Sequence, residues 1–380
     1  MSGLAARLIR HDVRDFRNLA RVELAPPAEG LVLVGENGQG KTNLLESIYY
    51  LQILRSARGA RDQDLVRFGA DAFHIGATVE TDARHDVGVG FERATKRKRT
   101  RIDGVVPERL SDALGALPSV MFSPNDVELV AGAPNARRRY LDIMLALTAR
   151  GYLNALQHYR AALARRNAAL REAARSARGS DASVAVWEPA LAEHGAVLWS
   201  ERRAWVASVA ERFEELCRDI GEPGRVRLRY ASSINASDDL GQSLAAALAE
   251  KRAHDLRRGL THVGPHRDDV IITLAGADGT PRDLRTFGSA GQQRSAAIAL
   301  RMLEASTFRE RTGRAPVFLL DDPFAELDAR RAGRVLSILT RERLGQTILA
   351  VPRESDIPHE LTSLERYRVA GGEIVRQVLA

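Results

Sequence analysis

The fold of this chain is decided by one short stretch, Gly35-Glu36-Asn37-Gly38-Gln39-Gly40-Lys41-Thr42. Its glycines, lysine and threonine have the spacing of a phosphate-binding loop. Glycine lets the backbone curl so that successive N–H groups point at phosphate oxygens, and the following helix directs the positive end of its dipole at the same anion. We expect Lys41 to reach the β- and γ-phosphates of ATP and the Thr42 hydroxyl to bind Mg²⁺. The sequence therefore predicts an ATP site, against the alternative of a chance glycine-rich turn.

The segments around this loop match the context that such a loop requires. Residues 31–34 are continuously apolar, as in a buried strand, and residues 42–54 have the pattern of a helix. Further along the chain, the apolar residues 317–320 end in two acids, Asp321 and Asp322. We expect Asp321 to hold the Mg²⁺ shell and Asp322 to polarise the attacking water. The alternative is a pair of acids that only caps the following helix.

A third segment separates the classes of ATPase. A helix that runs to about residue 308 is predicted to open with Phe287-Gly288-Ser289-Ala290-Gly291-Gln292-Gln293. Serine, glycine and glutamine at a helix N-terminus, after a phosphate loop and before two acids, resemble the ABC signature. The serine hydroxyl, the glycine amide and the helix dipole can bind a γ-phosphate. The resemblance implies that Ser289, Gly291 and Gln292 complete the ATP site of a partner subunit in an ATP-dependent homodimer.

Two details bear on the rate of hydrolysis and on the class. ABC ATPases usually carry glutamate at the position of Asp322. Because aspartate is one carbon shorter, we expect slow hydrolysis that suits a switch more than a motor. The segment Glu326-Leu327-Asp328 resembles the D-loop of the same superfamily.

The long separation of Lys41 from Asp321 indicates a large insertion within the ATPase. Residues 135–220 have a helical pattern, and apolar residues recur every seven positions within two sets, Leu156, Leu163 and Leu170, then Leu191, Leu198 and Trp205. These repeats favour amphipathic core packing over a true coiled coil, and Gly179-Ser180-Asp181 predicts a turn between helices. We predict an α/β fold in which an ABC-type P-loop ATPase lobe, residues 1–120 and 257–380, carries an inserted, mainly helical (coiled-coil-like) arm domain at residues 121–256.

Two cationic clusters are candidates for binding DNA. The first lies beside an Asp103-Gly104 hairpin turn and contains no acid. Its predicted DNA contacts are Lys96, Arg97, Lys98, Arg99 and Arg101. The second opens the arm and supplies Arg137 and Arg138. Such cations bind the phosphate backbone in a salt-sensitive way, and the scarcity of nearby aromatic residues favours duplex DNA over single strands. The alternatives are a solvated face for the first cluster, and a role at the nucleotide or between the lobes for the second.

Several other segments resemble the RecF family of bacterial recombination proteins, in the order that the family has them. They are Arg55-Ser56-x-Arg58, Phe122-Ser123-Pro124, Pro134-x-x-Arg137-Arg138-x-Tyr140-Leu141-Asp142, Arg166-Asn167-x-x-Leu170 and Thr261-x-x-Gly264-Pro265-His266-Arg267-Asp268-Asp269. Asp15-Phe16-Arg17-Asn18 resembles the segment that precedes the phosphate loop in SMC-like ATPases, which implies that Arg17 and Asn18 help to hold ATP. The family resemblance implies a dimer that binds DNA in an ATP-dependent way and works with RecO and RecR to help load the RecA recombinase at gaps.

The chain departs from the ABC pattern at two points. Where many ABC proteins have a switch histidine, this chain has Val351-Pro352-Arg353, and His359 comes too late. No glutamine matches the loop that usually links the γ-phosphate to the inserted domain, so we expect Asn125 or Asp126 to serve instead. The segment 266–269 contains a histidine and two acids, but it has no second ligand cluster, and this favours a folded junction over a metal site.

Composition narrows the functional class. The net charge of +7 permits nucleic acid as a partner, and no apolar run approaches the length of a membrane span. The single cysteine, Cys217, cannot form an internal disulfide, so we expect a reducing cytoplasm. The alternatives are the ATPase subunit of a membrane transporter, a chromosome-maintenance protein with long coiled-coil arms, a small-molecule kinase, and another SMC-like or ABC-type ATPase outside recombination. The arm is too long for the first and too short for the second, and the signature argues against the third.

Overall fold

The structure, a computed structural model, describes residues 4–175, 181–232, 234, 239–276, 279–324, 327–341 and 345–377. The chain forms two compact units. The first unit comprises residues 1–126, 219–221 and 297–380, and the second comprises residues 127–218 and 222–296. Residues 257–296, which the sequence analysis grouped with the ATPase lobe, cluster with the second unit, and the functional division into lobe and arm stays a prediction. Gly179 and Ser180 of the predicted turn, and Glu326 of the predicted D-loop, lie outside the described residues.

The first unit consists mainly of strands. Its N-terminal strands are β1 (Leu4–Ala5), β2 (Arg7–Phe16), β3 (Leu19–Leu24), β4 (Gly30–Val34), β5 (Ala72–Glu80), β6 (Arg84–Glu92), β7 (Arg97–Ile102) and β8 (Ser119–Phe122). Its C-terminal strands are β12 (Arg314–Ala315), β13 (Val317–Asp321), β14 (Thr347–Val351), β15 (Glu365–Ala370) and β16 (Glu373–Arg376). Its helices include α1 (Lys41–Ile53), α2 (Asp62–Leu65) and α11 (Ala329–Arg341). The strands predicted at residues 31–34 and 317–320 and the helix predicted at 42–54 are confirmed.

A largely parallel sheet places the two nucleotide motifs at the C-terminal ends of its strands. Its strand order is β16-β15-β4-β14-β13-β8, and β4, β14 and β13 run parallel. These three strands are buried along their whole length, as expected for a parallel sheet that is covered on both faces. Because the C-terminal ends of parallel strands lie together, the loop that follows β4 and the two acids at the end of β13 lie at the same end of the sheet.

A second, antiparallel sheet has the strand order β3-β2-β5-β6-β7. Aromatic side chains join it to α1: the Tyr50 ring centroid on this helix lies 6.2 Å from that of Phe16 and 5.6 Å from that of Phe73. Both contacts are edge-to-face, the geometry that aromatic pairs prefer. The helix that carries the phosphate loop is therefore fixed against both sheets, and β7 is left as an edge strand.

The second unit consists mainly of helices. They are α3 (Glu128–Ala131), α4 (Pro134–Thr148), α5 (Tyr152–Arg175), α6 (Asp181–Ala185), α7 (Glu188–Ile220), α8 (Leu240–Arg258) and α9 (Leu284–Phe287), and the unit includes the start of α10 (Ala290–Thr312). A small sheet has the order β11-β10-β9, formed by β9 (Val226–Ala231), β10 (Asp269–Ala275) and β11 (Pro281–Asp283). Of the predicted heptad residues, Leu156, Leu170, Leu191, Leu198 and Trp205 are buried, which agrees with core packing. Cys217 is buried as well.

Among the helices of the described part of the chain, none has both the length and the apolar character needed to cross a membrane.

Candidate nucleotide site and cationic surfaces

The phosphate loop, residues 35–42, connects β4 to α1. Gly38 and Gly40 have φ angles of +82° and +120°, in the left-handed region that favours glycine. A Cβ atom at Gly35 would lie 2.3 Å from the carbonyl oxygen of Val369, so the backbone approach there requires glycine. Among the described residues, the first turn of α1 has no acid and no side-chain cap. Its backbone N–H groups therefore fit an external anion such as phosphate.

Lys41 lies inside the curl of this loop. Its side chain is largely buried, and its Nζ donates hydrogen bonds to the carbonyl oxygens of Gly35 and Glu36, the second at 2.9 Å. Burial lowers the pKa of Lys41, and the negative charges of Asp321 and Asp322 act in the opposite direction. The ammonium is thus a compact positive charge beside the loop carbonyl oxygens and in the field of the two acids, and its contact with ATP stays a prediction.

The two acids differ in their surroundings. Asp321 ends β13 and accepts a 2.9 Å hydrogen bond from Oγ1 of Thr42. Burial raises the pKa of Asp321, and the bond from Thr42 opposes this effect. Asp322 has a φ angle of +45°, and its N–H donates to the carbonyl oxygen of Ala350 at 2.9 Å. A left-handed backbone at a residue other than glycine is the kind of strain that clusters at functional sites.

The pairing of Thr42 with Asp321 fits a magnesium ion. A hydroxyl and a carboxylate are oxygen ligands, which Mg²⁺ prefers, and one or two protein ligands suffice because the ion keeps several waters and substrate phosphates. The two side chains are already brought together by their own hydrogen bond. The donor set therefore agrees with the predicted metal role of both residues.

A buried carboxylate, Glu46 on α1, gathers the cations beside the loop. It accepts hydrogen bonds from Arg17 Nε at 3.1 Å, from Arg58 Nε at 3.0 Å and from the Ser56 hydroxyl. Burial alone raises the pKa of Glu46, but these hydrogen bonds outweigh it and the net pKa is lowered. Arg17 is thus held by Glu46, and its contact with ATP stays a prediction.

Arg58 is a site residue that the sequence analysis quoted only as part of a family motif. Its Nη2 donates to Asn43 Oδ1 at 2.5 Å, in the first turn of α1. Burial raises the pKa of Asp321, and the positive charge of Arg58 opposes this effect, so the guanidinium acts on the metal-side acid. The motif residues Ser56 and Arg58 therefore surround the nucleotide site, and the motif itself was the available signal.

Asn18 supports the middle of the phosphate loop. Its Nδ2 donates to the Gln39 carbonyl oxygen at 3.2 Å, and its Oδ1 accepts from Asn43 at 2.8 Å. From the other side, the N–H groups of Gly372 and Gly371 donate to Gln39, to the carbonyl oxygen at 2.8 Å and to Oε1 at 2.6 Å. The turn between β15 and β16 thus fixes the loop, although its sequence shows only a glycine turn.

The signature residues open α10 as predicted. Gln292 accepts a 2.9 Å hydrogen bond from the Ser289 N–H, and its own N–H donates to the Ser289 hydroxyl at 3.3 Å. This reciprocal pair is a capping box. Ser289 is exposed to solvent, and Gly291 is half-buried. The helix of residues 290–312 therefore presents an accessible N-terminus, and its contact with a partner's nucleotide stays a prediction.

The first cationic cluster divides along β7. Arg97, Arg99 and Arg101 alternate on the exposed face of this edge strand, and Lys96 lies in the preceding turn with a φ angle of +54°. Within the described residues, none of these four side chains forms an ion pair. Their charges are therefore available to an external polyanion.

Lys98 points the other way, and this differs from the predicted DNA contact. Its Nζ lies 2.7 Å from Asp62 Oδ2, donates to the Leu54 carbonyl oxygen at 2.6 Å, and lies 5.2 Å from the Tyr50 ring centroid. Alternation along a strand places every second side chain on the opposite face. Lys98 is thus a structural cation whose charge Asp62 already neutralises, and the prediction that it contacts DNA is corrected.

The second cluster also differs from its predicted role. Arg137 is 5% exposed, and its guanidinium donates two hydrogen bonds to Asp269, at 2.7 Å and 2.9 Å. A further nitrogen donates to the Gly132 carbonyl oxygen at 2.9 Å. Arg138 is half-buried and donates to the Asp268 carbonyl oxygen at 2.7 Å. Burial and pairing leave Arg137 unable to reach DNA, and Arg138 keeps only part of its guanidinium accessible.

A buried network in the second unit explains two of the family motifs. We call it the arginine hub, and it consists of Arg166, Glu188 and Asp255. Arg166 is fully buried and donates to Asp255 at 2.8 Å and to Glu188 at 2.9 Å. Outside the hub, Arg202 donates to Asp142 at 2.6 Å and to the Pro265 carbonyl oxygen at 2.7 Å. The motifs at 166–170 and 261–269 therefore contribute to packing of the second unit.

The side chains of the segment 266–269 form hydrogen bonds within the second unit, and the role of this segment as a folded junction stays a prediction. His266 Nε2 lies 3.1 Å from the Thr261 carbonyl oxygen, which assigns the proton to Nε2, and Nδ1 accepts from the Tyr159 hydroxyl at 2.7 Å. Burial lowers the pKa of His266 to about 4, so the ring is neutral near pH 7. Asp268 accepts from the Tyr230 hydroxyl at 2.8 Å. The structure thus uses these side chains for protein contacts.

Asn125 and Asp126 are the two candidates to replace the glutamine that usually links the γ-phosphate to the inserted domain, and they differ in burial. Asp126 is buried and accepts hydrogen bonds from the Ser123 N–H at 2.8 Å and from Arg301 at 2.7 Å. Asn125 is exposed. Because protein partners already occupy Asp126, Asn125 is the better candidate of the two, and its contact with a nucleotide stays a prediction.

The family of the chain follows from comparison with known proteins. Residues 7–360 match the model of the RecF/RecN/SMC N-terminal domain. The DNA replication and repair protein RecF of Chloroflexus aurantiacus is 37% identical over 95% of this chain and 97% of its own length. The chain belongs to the RecF family. The RecF protein of a Geobacter species (strain M21) is 34% identical over 97% of this chain and 100% of its own length.

Solved structures agree with this RecF-family assignment. A structure of the recombination mediator protein RecF with ATP, in the RecFOR pathway, is 27% identical, covers 99% of both chains and has a TM-score of 0.89. An Smc head domain with an extended coiled coil, from work on Pyrococcus furiosus, has a TM-score of 0.56 at 15% identity over 99% of this chain and 96% of its own. That weaker likeness concerns the fold alone. The predicted α/β ABC-type ATPase fold with a helical arm is confirmed, and the chain is an ATPase of recombinational DNA repair.

Proposed function

We propose that this RecF-family chain is an ATP-gated DNA clamp. Two copies form a homodimer around ATP, bind duplex DNA, and release it after slow hydrolysis. With RecO and RecR, the dimer helps to load the RecA recombinase at gaps. The observation that carries this proposal is that one chain contains a complete phosphate loop, an acid that its threonine contacts and an exposed signature at a helix N-terminus.

The chain's own residues suit the steps of ATP binding. The backbone N–H groups of the loop and the ammonium of Lys41 bind the phosphates. Thr42 and Asp321 would hold Mg²⁺, which neutralises phosphate charge when bound. Arg58, clamped by Glu46, adds a fixed cation beside these groups.

The hydrolytic step is assigned to Asp322. Its carboxylate orients and polarises the attacking water, as a general base does within hydrogen-bond reach. Its left-handed backbone, anchored to Ala350 of the neighbouring strand, sets the direction of the side chain. Because the aspartate is shorter than the usual glutamate, the proposal includes slow turnover.

Gating follows from the exposed signature. In the proposed dimer, Ser289 and Gly291 of one subunit approach the γ-phosphate held by the other, so that ATP joins the subunits and hydrolysis separates them. DNA binds through Arg97, Arg99 and Arg101, whose side chains share one face of β7. Such contacts track the phosphate backbone without reading sequence.

Equilibrium binding of duplex, single-stranded and gapped DNA, each with and without ATP, tests this function. We expect ATP to strengthen duplex binding and Lys41→Ala to abolish that gain. A Glu92→Gln protein, altered at an exposed position on β6, is the control and should keep the gain. Equal affinity for duplex DNA with and without ATP would contradict the proposal.

A further inference from the structure

The second unit contains a cavity of about 250 Å³ between α4, α5 and α7. Four arginines line it: Arg138 and Arg139 from α4, Arg160 from α5 and Arg202 from α7. No role in the ATP site or in the β7 cation row accounts for this concentration of charge. Arginine presents planar donors that match phosphate and carboxylate groups, so the cavity has the character of an oxyanion site.

The carboxylate in the cavity lining already has cationic partners within the protein. The lining contains one carboxylate, Asp142, which accepts from Arg202 at 2.6 Å, from Arg160 at 2.9 Å and from the Tyr152 hydroxyl at 2.6 Å. His266 is neutral near pH 7, because burial lowers its pKa to about 4. The lining therefore carries more cations than anions.

Arg138 is the cation best placed to bind a ligand. It is half-buried, and one of its nitrogens donates to the Asp268 carbonyl oxygen at 2.7 Å, which leaves other donors of the same guanidinium facing the cavity side of α4. Burial, and next the positive charge of Arg202, lower the pKa of Arg138. An anion in the cavity would relieve both effects, because it supplies hydrogen bonds and opposite charge.

The start of α4 adds to the positive field. The helix begins at Pro134, has no acid in its first turn among the described residues, and contributes Asn135 to the rim of the cavity. The N-terminal end of a helix carries a partial positive charge that favours anions within about one turn. The cavity thus combines a helix N-terminus with four guanidinium groups.

From this geometry we infer that the arginine-lined cavity binds a phosphate group, supplied by the DNA backbone or by free phosphate. The inference rests on the proposed function for its DNA source. The three bonds that Arg202 already makes, to Tyr152, Pro265 and Asp142, fix it as the rigid floor of the site. Arg138 and Arg160 supply the contacts that a ligand gains.

Two probes distinguish the sources. Inorganic phosphate and a short DNA duplex are titrated separately into the full chain, with a non-hydrolysable ATP analogue at saturating concentration in every sample so that the phosphate loop is fully occupied and the DNA-binding state is kept. Arg138→Gln should weaken phosphate binding about tenfold or more, the size expected for a charge-assisted hydrogen bond. Weakening of duplex binding by the same variant identifies DNA as the source, and unchanged duplex binding identifies free phosphate.

A second variant covers the case in which Arg138→Gln disturbs the fold. Asn135→Asp adds a carboxylate at the exposed rim, where an acid stabilises a helix N-terminus, and it should still weaken phosphate binding. Arg171→Gln, at an exposed position on α5 outside the cavity, is the matched control and should change nothing. Phosphate binding that is absent from the wild type, or equal in both cavity variants and the wild type, would overturn the inference. Tighter duplex binding with the ATP analogue than in matched samples without nucleotide would show that the proposed function stands without it.

Discussion

The phosphate loop and the arginine hub both set cations against oxygen atoms, yet they leave those groups in opposite states. Around the loop, within the described part of the chain, the helix N-terminus has no side-chain cap, and Lys41 contacts loop carbonyl oxygens and lies in the field of two acids. In the hub, Arg166 is fully buried and its partners Asp255 and Glu188 already neutralise it. The first region is prepared for a ligand, and the second is complete without one.

This comparison teaches how to interpret a family motif. A motif whose polar groups are satisfied within the protein contributes stability, because removing one partner leaves a buried charge unpaired. A motif whose donors converge on an open position contributes chemistry. Substitutions in the two regions should therefore affect different measurements.

The largest expected effect is on catalysis. Asp322→Asn should reduce the turnover number by about 10²- to 10⁴-fold, the range that a general base contributes, and should leave ATP binding intact. Asparagine tolerates a left-handed backbone well, so the φ angle of +45° at this position is kept. Single-turnover ATPase assays measure the loss, and Asp321→Asn is the contrast, since it should weaken Mg²⁺-dependent nucleotide binding. Normal turnover in Asp322→Asn would assign the water to another group.

The next effect is on stability. Arg166→Met should lower the free energy of unfolding by about 3–5 kcal/mol, because Asp255 and Glu188 lose a buried partner. Urea denaturation measures the change. Arg171→Met, at an exposed position on the same helix, should stay within about 0.5 kcal/mol of the wild type. A small loss in Arg166→Met would show that the hub is not a structural element and would remove the contrast with the loop.

A smaller effect separates the two faces of β7. Neutralising Arg97, Arg99 and Arg101 together to glutamine should reduce the slope of log affinity against log salt by about three, roughly one for each phosphate contact. ATP binding should not change. Lys98→Gln is the matched control on the same strand, since Asp62 already pairs with this cation, and its slope should equal that of the wild type. An equal slope in the triple variant would leave the exposed row as a solvated face.

The smallest expected effect is a loss of folding stability at acid pH. Burial lowers the pKa of His11, which contacts Ser47 of α1 at 2.8 Å, to about 3. The unfolded chain binds this proton below about pH 6.5, so it holds more protons than the folded chain between these values, and stability falls as the pH falls through that window. At pH 5 the loss from His11 is about 2 kcal/mol. Urea melts of the wild type and His11→Gln at pH 7 and pH 5 check it; parallel pH dependence in both would contradict it.

The sequence was sufficient for the features that depend on local pattern. The buried strand, the glycine loop and the helix at 42–54 each follow from hydrophobic periodicity and backbone freedom, and the structure has all three. The acid-ended strand follows for the same reason, whereas the signature at the start of its helix is identified by its resemblance to ABC ATPases. The local patterns predict the position of the ATP site, and that resemblance adds the class of the fold.

What sequence reasoning missed depends on contacts between distant segments. A run of cations in the sequence does not indicate which of them a neighbouring element will cover. The pattern therefore predicts Lys98 and Arg137 as DNA contacts, whereas in the structure Asp62 pairs with Lys98 and Asp269 pairs with Arg137. The support of the loop by the turn at 371–372 joins residues far apart in the chain. Such pairings are set by sheet topology, which periodicity does not encode.

The central claim is that each ATP site is shared between subunits, and a mixing experiment tests it most directly. Lys41→Ala and Ser289→Arg should each lack ATPase activity alone. A heterodimer of the two has one site with both defects and one site with none, so partial activity should return on mixing. Single-site trapping of ATP in the heterodimer checks that one intact site can act without the other. Heterodimers that form with ATP, yet neither trap nucleotide at one site nor recover turnover, would contradict the shared site.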